Sequence, residues 1–302
     1  MKRQLRVLSL GAVLWDVIGE NEYIGGAPFN FAVNMRRLGA ESALVTSVGN
    51  DERGRRAKEK ITDYGVSSLF VQTSETQRTG VAMATVGENG NARYEIPYAA
   101  FDEIAANDRA IRAMNDYAPD IVYFGTFEQR HAVTREAVCK ILEKVRSRHV
   151  FFDVNLRMNF VDENVLRSGL NTCTVLKLNH EEREIISELF YKEPSDNETF
   201  AKRVAEEFGI QCVIVTLGAE GCVVYENGRF YYSAPPATQV ADTIGAGDAF
   251  SSAFLFFYSQ GVSCRIAAEK GNELGAYVAG KNGALPDFDE TIKTKMNIER
   301  GI

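Results

Sequence analysis

Ala241-Asp-Thr-Ile-Gly-Ala-Gly-Asp248-Ala-Phe-Ser-Ser-Ala253 is the most informative stretch of the chain. Two glycines one residue apart, then an aspartate, then small and apolar residues at helical spacing describe a tight turn that opens a helix. Backbone N–H groups of Gly245, Ala246 and Gly247 converge in such a turn, and the free donors and dipole of a helix N-terminus attract an anion. Asp248 then has two readings. It is a first-turn acid stabilised by the dipole, or it accepts a proton from an attacking hydroxyl while the amides hold phosphoryl charge. The second reading needs small residues, because a side chain beyond alanine would keep a phosphoryl group off the backbone.

Upstream of this turn, short apolar runs alternate with amphipathic stretches of helix length, the signature of βαβ units and a mostly parallel sheet. Strands are expected at Leu5–Leu10, Ala43–Val48, Ile121–Phe124, Val150–Val154, Val175–Leu178 and Cys212–Thr216, with a hairpin of Cys222–Tyr225 and Phe230–Tyr232. Helices are expected at Pro28–Leu38, Glu52–Tyr64, Asp108–Tyr117, Ala132–Arg146, Glu181–Leu189, Asn197–Phe208, Gly247–Ser259 and Cys264–Gly280. One stretch breaks the alternation. Gly80–Val86, the turn Glu88-Asn89-Gly90-Asn91 and Ala92–Ile96 read as a β-hairpin, which with the segment after Asp16 makes a small sheet standing off the main one.

The 302 residues allow one large α/β domain or two smaller ones, and 45% hydrophobic with 25% charged residues is ordinary globular composition. A net charge of −7 offers no cationic face for nucleic acid. Five scattered cysteines (Cys139, Cys173, Cys212, Cys222, Cys264) without a C-x-x-C pair read as reduced core thiols of a cytoplasmic protein. His180-Glu181 lacks the second histidine of a zinc helix, since position 184 is Glu. Val7 to Trp15 reads as a first core strand rather than a signal peptide, and no apolar run approaches the roughly 18 residues of a membrane helix. G-x-S-x-G, G-x-x-x-x-G-K-[ST] and a strand followed by G-x-G-x-x-G are all absent, so hydrolase and dinucleotide-dependent dehydrogenase readings have no motif behind them.

Taken together, Gly25-Gly-Ala-Pro-Phe-Asn30 near one end and Asp242-Thr-Ile-Gly-Ala-Gly-Asp248 near the other resemble the two signatures of the ribokinase-like (PfkB) carbohydrate kinases. Asp153-Val-Asn155-Leu-Arg157, Asn179-His-Glu-Glu182 and Thr216-Leu-Gly218-Ala-Glu-Gly221 fall in order between them where the family has such segments. The resemblance implies a three-layer α/β sandwich forming one domain over residues 1–302, with a β-sheet lid from about 13–24 and 80–100. It implies that Asp248 is the general base toward a primary sugar hydroxyl and that Gly245, Ala246 and Gly247 line an anion hole. Asp16, Gly26 and Asn30 would hold sugar hydroxyls, since carboxylate and amide groups each bind two vicinal hydroxyls. Asn155, Arg157 and Arg93 join the substrate side. Asn179 and Glu182 would position the ATP phosphates and, through water, Mg²⁺. Thr216, Gly218 and Gly221 would approach the nucleotide and Asn272 the adenine. The loop around Asp242, Ile244 and Gly283 is where relatives hold a monovalent cation such as K⁺.

Most of these residues also have a plainer reading. Asp16 can cap a strand end, Asn179 can cap the helix that follows it, Glu182 can serve the helix dipole, Arg157 can be a surface ion-pair partner rather than a phosphate contact, and Arg93 can be a solvated charge on the hairpin. The glycine motif, and the segments Tyr94–Asp102 and Gly125–Arg130, look more like a fructokinase branch than ribokinase proper. D-fructose and ATP are therefore the expected substrates, with few basic residues on the substrate side to favour a phosphorylated sugar. The alternatives are a ribokinase, nucleoside kinase or 2-keto-3-deoxygluconate kinase, and a catalytically silent, sugar-responsive interaction protein. Relatives of this kind pair lids into a homodimer; neither nucleic acid nor membrane is an expected partner.

Overall fold

The computed structural model describes residues 4–86, 92–158 and 160–298. Thirteen described strands and ten α-helices follow in order: β1 (Arg6–Leu10), β2 (Leu14–Ile18), β3 (Asn21–Gly25), α1 (Ala27–Arg37), β4 (Glu41–Gly49), α2 (Glu52–Asp63), β5 (Val71–Ser74), β6 (Gly80–Val86), β7 (Ala92–Glu95), α3 (Asp108–Tyr117), β8 (Ile121–Phe124), α4 (Ala132–Lys144), β9 (His149–Asp153), α5 (Glu163–Thr172), β10 (Val175–Asn179), α6 (His180–Tyr191), α7 (Asn197–Phe208), β11 (Cys212–Thr216), β12 (Cys222–Glu226), β13 (Arg229–Ser233), α8 (Ala246–Ser259), α9 (Cys264–Ala279) and α10 (Glu290–Lys295).

Nine strands form the main sheet in the order β13-β12-β11-β10-β9-β8-β1-β4-β5. All pairs from β11 through to β5 are parallel, and the β11–β12–β13 edge is antiparallel. Parallel strands covered on both faces read as continuous apolar runs, and β8 is buried at all four positions. Alternate residues serve opposite layers. Leu8, Val122, Phe152, Leu176 and Val213 pack under α3 to α7, while Val7, Ile121, Phe151, Val175 and Ile214 pack under α1, α8, α9 and α10. The chain leaves β1 toward β4 on one side and returns as β8 on the other, which opens a crevice at the carboxyl ends of these strands, where ligands of such sheets bind.

The second sheet has the order β3-β2-β6-β7, with β2 and β6 parallel and its other pairs antiparallel. Its attachment rests on Trp15, buried with Nε1 donating to the Arg53 carbonyl (3.1 Å) and the Arg56 guanidinium 4.3 Å above its ring. Glu22 ion-pairs with both Arg53 and Arg56. Because strand residues alternate in side, Trp15 faces α2 and Asp16 faces the opposite way. The expected turn 88–91 lies outside the described residues.

Three elements were not expected from sequence. β5 is a polar edge strand, α10 a six-residue helix, and α5 carries Gly169 where helix propensity is weak. A Cβ at Gly169 would stand 2.4 Å from the Phe152 ring, so packing against β9 demands the glycine. Asp162 starts α5 by accepting from the amides of Asn164 and Val165.

Candidate active site

The two glycine-rich segments at opposite ends of the sequence meet. Asn30 Nδ2, in the first turn of α1, donates to Asp248 Oδ2, in the first turn of α8, at 2.9 Å. Asn30 is buried and its Oδ1 has no partner. Burial is the main force raising the Asp248 carboxyl to about 6; the Asn30 bond opposes it, Asp153 adds to it, and Lys177 and Arg157 oppose it. Gly245 sits at φ +78 immediately before α8, and a Cβ there would come 2.7 Å from Ala284, so only glycine fits the turn. Gly26 has φ +111 and a site 2.3 Å from the Ala12 carbonyl, which brings the start of α1 against the β1–β2 connection. A Cβ at Gly25 would strike Asp16 Oδ2 at 2.5 Å. The glycine pair thus leaves room for this carboxylate beside α1.

Burial lifts the Asp16 carboxyl to about 6, with the Arg157 charge pulling the other way. Arg157, exposed on the loop after β9, is near enough for its charge to act on both Asp16 and Asp248. Asn155 precedes it in a left-handed conformation (φ 41) that Asn tolerates better than most residues. The Arg93 side chain lies outside the described residues.

Asn179 and Glu182 form a reciprocal cap on α6. Asn179 Oδ1 accepts from the Glu182 amide, Glu182 Oε2 accepts from the Asn179 amide, and Glu182 Oε1 accepts from the Leu156 amide, each at 2.8 Å. The carboxylate is buried, which raises its pKa against the pull of Lys177. The geometry gives both residues the capping job, and a metal role for Glu182 has only an outer contact left to it. Among the described residues no group of three or more His, Cys, Asp and Glu is placed to hold a metal. Thr216 ends β11 with Oγ1 donating to the Leu178 carbonyl, and Gly218 follows in a short 3₁₀ turn. A Cβ at Gly221 would lie 1.9 Å from the Ser233 carbonyl, so its glycine is accounted for by packing on β13. Asn272, expected near an adenine, is 6% exposed and spends Nδ2 on the Ser233 carbonyl (2.8 Å) and Oγ (3.0 Å). That amide ties α9 to β13. The Asp242 carboxylate accepts from the amides of Ile244 (3.0 Å) and Gly283 (3.2 Å), so this trio is brought together ahead of the Gly245 turn.

Two buried carboxylates and a buried ammonium complete the site, and none was assigned a role from sequence. Glu128 Oε1 accepts from the Ala12 amide (3.3 Å), its side chain fills the space a Cβ on Gly11 would need, and burial pushes its carboxyl up to about 7. Asp153 ends β9 and pairs with Lys177 of β10 at 2.9 Å. A lysine inside the apolar run Val175-Leu-Lys-Leu-Asn179 was the available signal, since a charged residue in a doubly covered strand needs a buried partner.

The nine-stranded sheet with helices on both faces and the small second sheet define a three-layer α/β sandwich, and comparison gives the family. The pfkB family carbohydrate kinase model matches residues 9–291. An uncharacterized sugar kinase of Archaeoglobus fulgidus is 31% identical over 261 residues, 86% of this chain and 100% of that protein. A fructokinase of Xylella fastidiosa with bound ATP superposes with a TM-score of 0.80 at 22% identity, over 92% of this chain and 93% of the other. Aminoimidazole riboside kinase of Salmonella enterica, complexed with aminoimidazole riboside and an ATP analogue, gives 0.78 at 22% identity over 96% and 99%. This chain belongs to the pfkB family of carbohydrate kinases. It is a sugar kinase, and among the described residues no helix is long and apolar enough to cross a membrane.

Proposed function

We propose that the protein transfers the γ-phosphoryl group of ATP to a primary hydroxyl of a free hexose, D-fructose first among the candidates. The observation that carries this reading is the Asn30–Asp248 hydrogen bond across 218 residues of chain, which holds a carboxylate in the first turn of α8. Asp248 takes the proton of the attacking hydroxyl, and a carboxylate raised to about 6 is mostly ionised at pH 7 yet basic enough for that task. The free Oδ1 of Asn30 and the carboxylate of Asp16 accept hydroxyl protons of the sugar and orient it. The amides of Gly245 and Gly247 take the charge that spreads over the phosphoryl oxygens, at the positive end of α8, while the Ala246 amide, which donates to the Thr243 carbonyl at 3.2 Å, joins them only by leaving that bond.

Bound Mg²⁺ would supply charge neutralisation between the nucleotide phosphates. Glu182, its two oxygens already held by backbone amides, would meet it through water, in keeping with the few protein ligands Mg²⁺ takes. Asp242 with the carbonyls around Ile244 and Gly283 is suited to a monovalent cation beside the same turn. The sheet β3-β2-β6-β7 acts as a lid, with Asp16 on its inward face; closing it excludes water that would otherwise take the phosphoryl group. A free sugar is favoured over a phosphorylated or acidic one because the substrate-side segments carry few basic residues, Arg157 being the one among the described residues whose charge acts on both Asp16 and Asp248. The test is ADP release with Mg·ATP across ketoses, aldoses, nucleosides and 2-keto-3-deoxygluconate. Turnover led by fructose supports the reading, and turnover led by a nucleoside or a sugar acid replaces it.

A further inference from the structure

Lys177 occupies an electrostatically adverse place. Cations are disfavoured at helix N-termini, yet Lys177 is 7% exposed and its ammonium stands 3.5 Å from the point where a Cβ on Gly247 would lie, at the first turn of α8. The cost of desolvating it is met by acidic neighbours. Asp153 Oδ1 accepts from Nζ at 2.9 Å, and the charges of Asp153, Glu182 and Asp248 all favour the ammonium form. Asp153 is itself fixed to the same helix, since its Oδ2 accepts from Ser251 Oγ of α8 at 3.2 Å and from the Tyr123 hydroxyl at 3.4 Å. The pair thus joins the end of β9 and the middle of β10 to the first turn of α8, beside Gly247.

We propose that Lys177 is a positioning residue for phosphoryl transfer: held by Asp153 behind the first turn of α8, its charge reinforces the anion hole and stabilises the phosphoryl group most in the transition state. The inference rests on the kinase reading of that turn and adds a group to it. A fixed cation next to oriented amides needs no reorganisation when charge spreads over the phosphoryl oxygens, and inside a water-poor site its field is weakly screened. A ground-state nucleotide, whose phosphates are shared with Mg²⁺ and solvent, gains less from it.

The experiment compares wild type, Lys177→Met, Lys177→Arg and the double variant Asp153→Asn/Lys177→Met, the last because removing the ammonium alone strands a buried carboxylate. Folding is followed by thermal denaturation. Steady-state constants are measured with Mg·ATP and the best sugar, and binding of MgADP alone and of MgADP with aluminium fluoride plus sugar is measured by calorimetry. Removing one direct oxyanion donor costs about 10²–10³ in kcat, and a charge one layer behind is expected to cost at least about tenfold. The expected result for Lys177→Met is that loss in kcat with KM values within about threefold, MgADP affinity unchanged, and the aluminium fluoride complex weakened by the same factor as kcat. Lys177→Arg recovers part of it, and the double variant recovers thermal stability without recovering kcat. The inference is overturned if kcat of the folded variants stays within about threefold of wild type, or if MgADP and its aluminium fluoride complex weaken equally. A wild type that transfers nothing to any sugar overturns the kinase reading itself, and this inference with it.

Discussion

Replacing Asp248 by asparagine separates what this carboxylate does for chemistry from what it costs the fold. The substitution keeps the shape and a hydrogen-bonding partner for Asn30 but abolishes the charge and the basicity. General base catalysis contributes roughly 10²–10⁴ in rate, so kcat falls by that factor, about 3–5 kcal/mol of transition-state stabilisation. Stability moves the other way. Burial raises the carboxyl from 3.8 to about 6 in the folded state. Its contribution is therefore fully present below pH 3.8, where it is neutral in both states, and is lost as pH rises through about 6. Two pKa units correspond to about 3 kcal/mol; the group borders the cleft, and solvent screening reduces this to about 1–3 kcal/mol. For a chain of this size the variant should melt roughly 2–6 °C above wild type at pH 7.5, with the gap closing by pH 4. Coupled ADP release and thermal denaturation at both pH values provide the assay. Equal activity in the variant refutes the base assignment, and a melting difference that ignores pH refutes the buried-carboxylate argument.

Other outcomes follow from the same geometry. The acid limb of kcat/KM should fall near pH 6, where both Asp16 and Asp248 become protonated, and a profile flat down to pH 4.5 would contradict their assignment as ionised groups. Glu182→Ala removes the reciprocal cap and the Leu156 contact; a loss of about 1–3 kcal/mol in urea unfolding is expected, against no change if the carboxylate serves only a metal. Gly245→Ala forces a side chain to within 2.7 Å of Ala284 at φ +78, so kcat and melting temperature should both drop, whereas an unaffected enzyme would mean that the turn is slack. His149 is buried with both ring nitrogens unpartnered, and burial depresses its pKa to about 4. Its share of stability is present above pH 6.5 and lost as pH falls toward 4, so His149→Leu should flatten the acid side of a stability-pH curve measured by chemical denaturation.

Much of the fold was written in local pattern. Strands such as Ile121–Phe124 and Cys212–Thr216 and helices such as Asp108–Tyr117 and Asn197–Phe208 have the expected boundaries, because apolar runs and caps such as Asn107 and Asp196 are local signals. β5 was not legible: Val-Gln-Thr-Ser lies on an edge with one neighbour and has no apolar run to betray it. α5 was hidden by Gly169, whose reason is a ring on another element. The site divides the same way. Asn30, Gly245 and Asp248 stand in compact motifs, whereas Asp153, Lys177 and Ser251 come from three elements and become a unit only when β9, β10 and α8 meet. Asn272 shows the converse, a residue singled out for a ligand whose amide is occupied by β13.

Phosphoryl transfer itself is tested most directly by incubating the wild-type protein with Mg·ATP and D-fructose and following both ADP and the sugar by mass spectrometry and ³¹P NMR. One phosphate ester on a primary carbon of the hexose for each ADP released is the predicted result. ATP consumed without an ester, or no turnover with fructose or any other sugar offered, would contradict it.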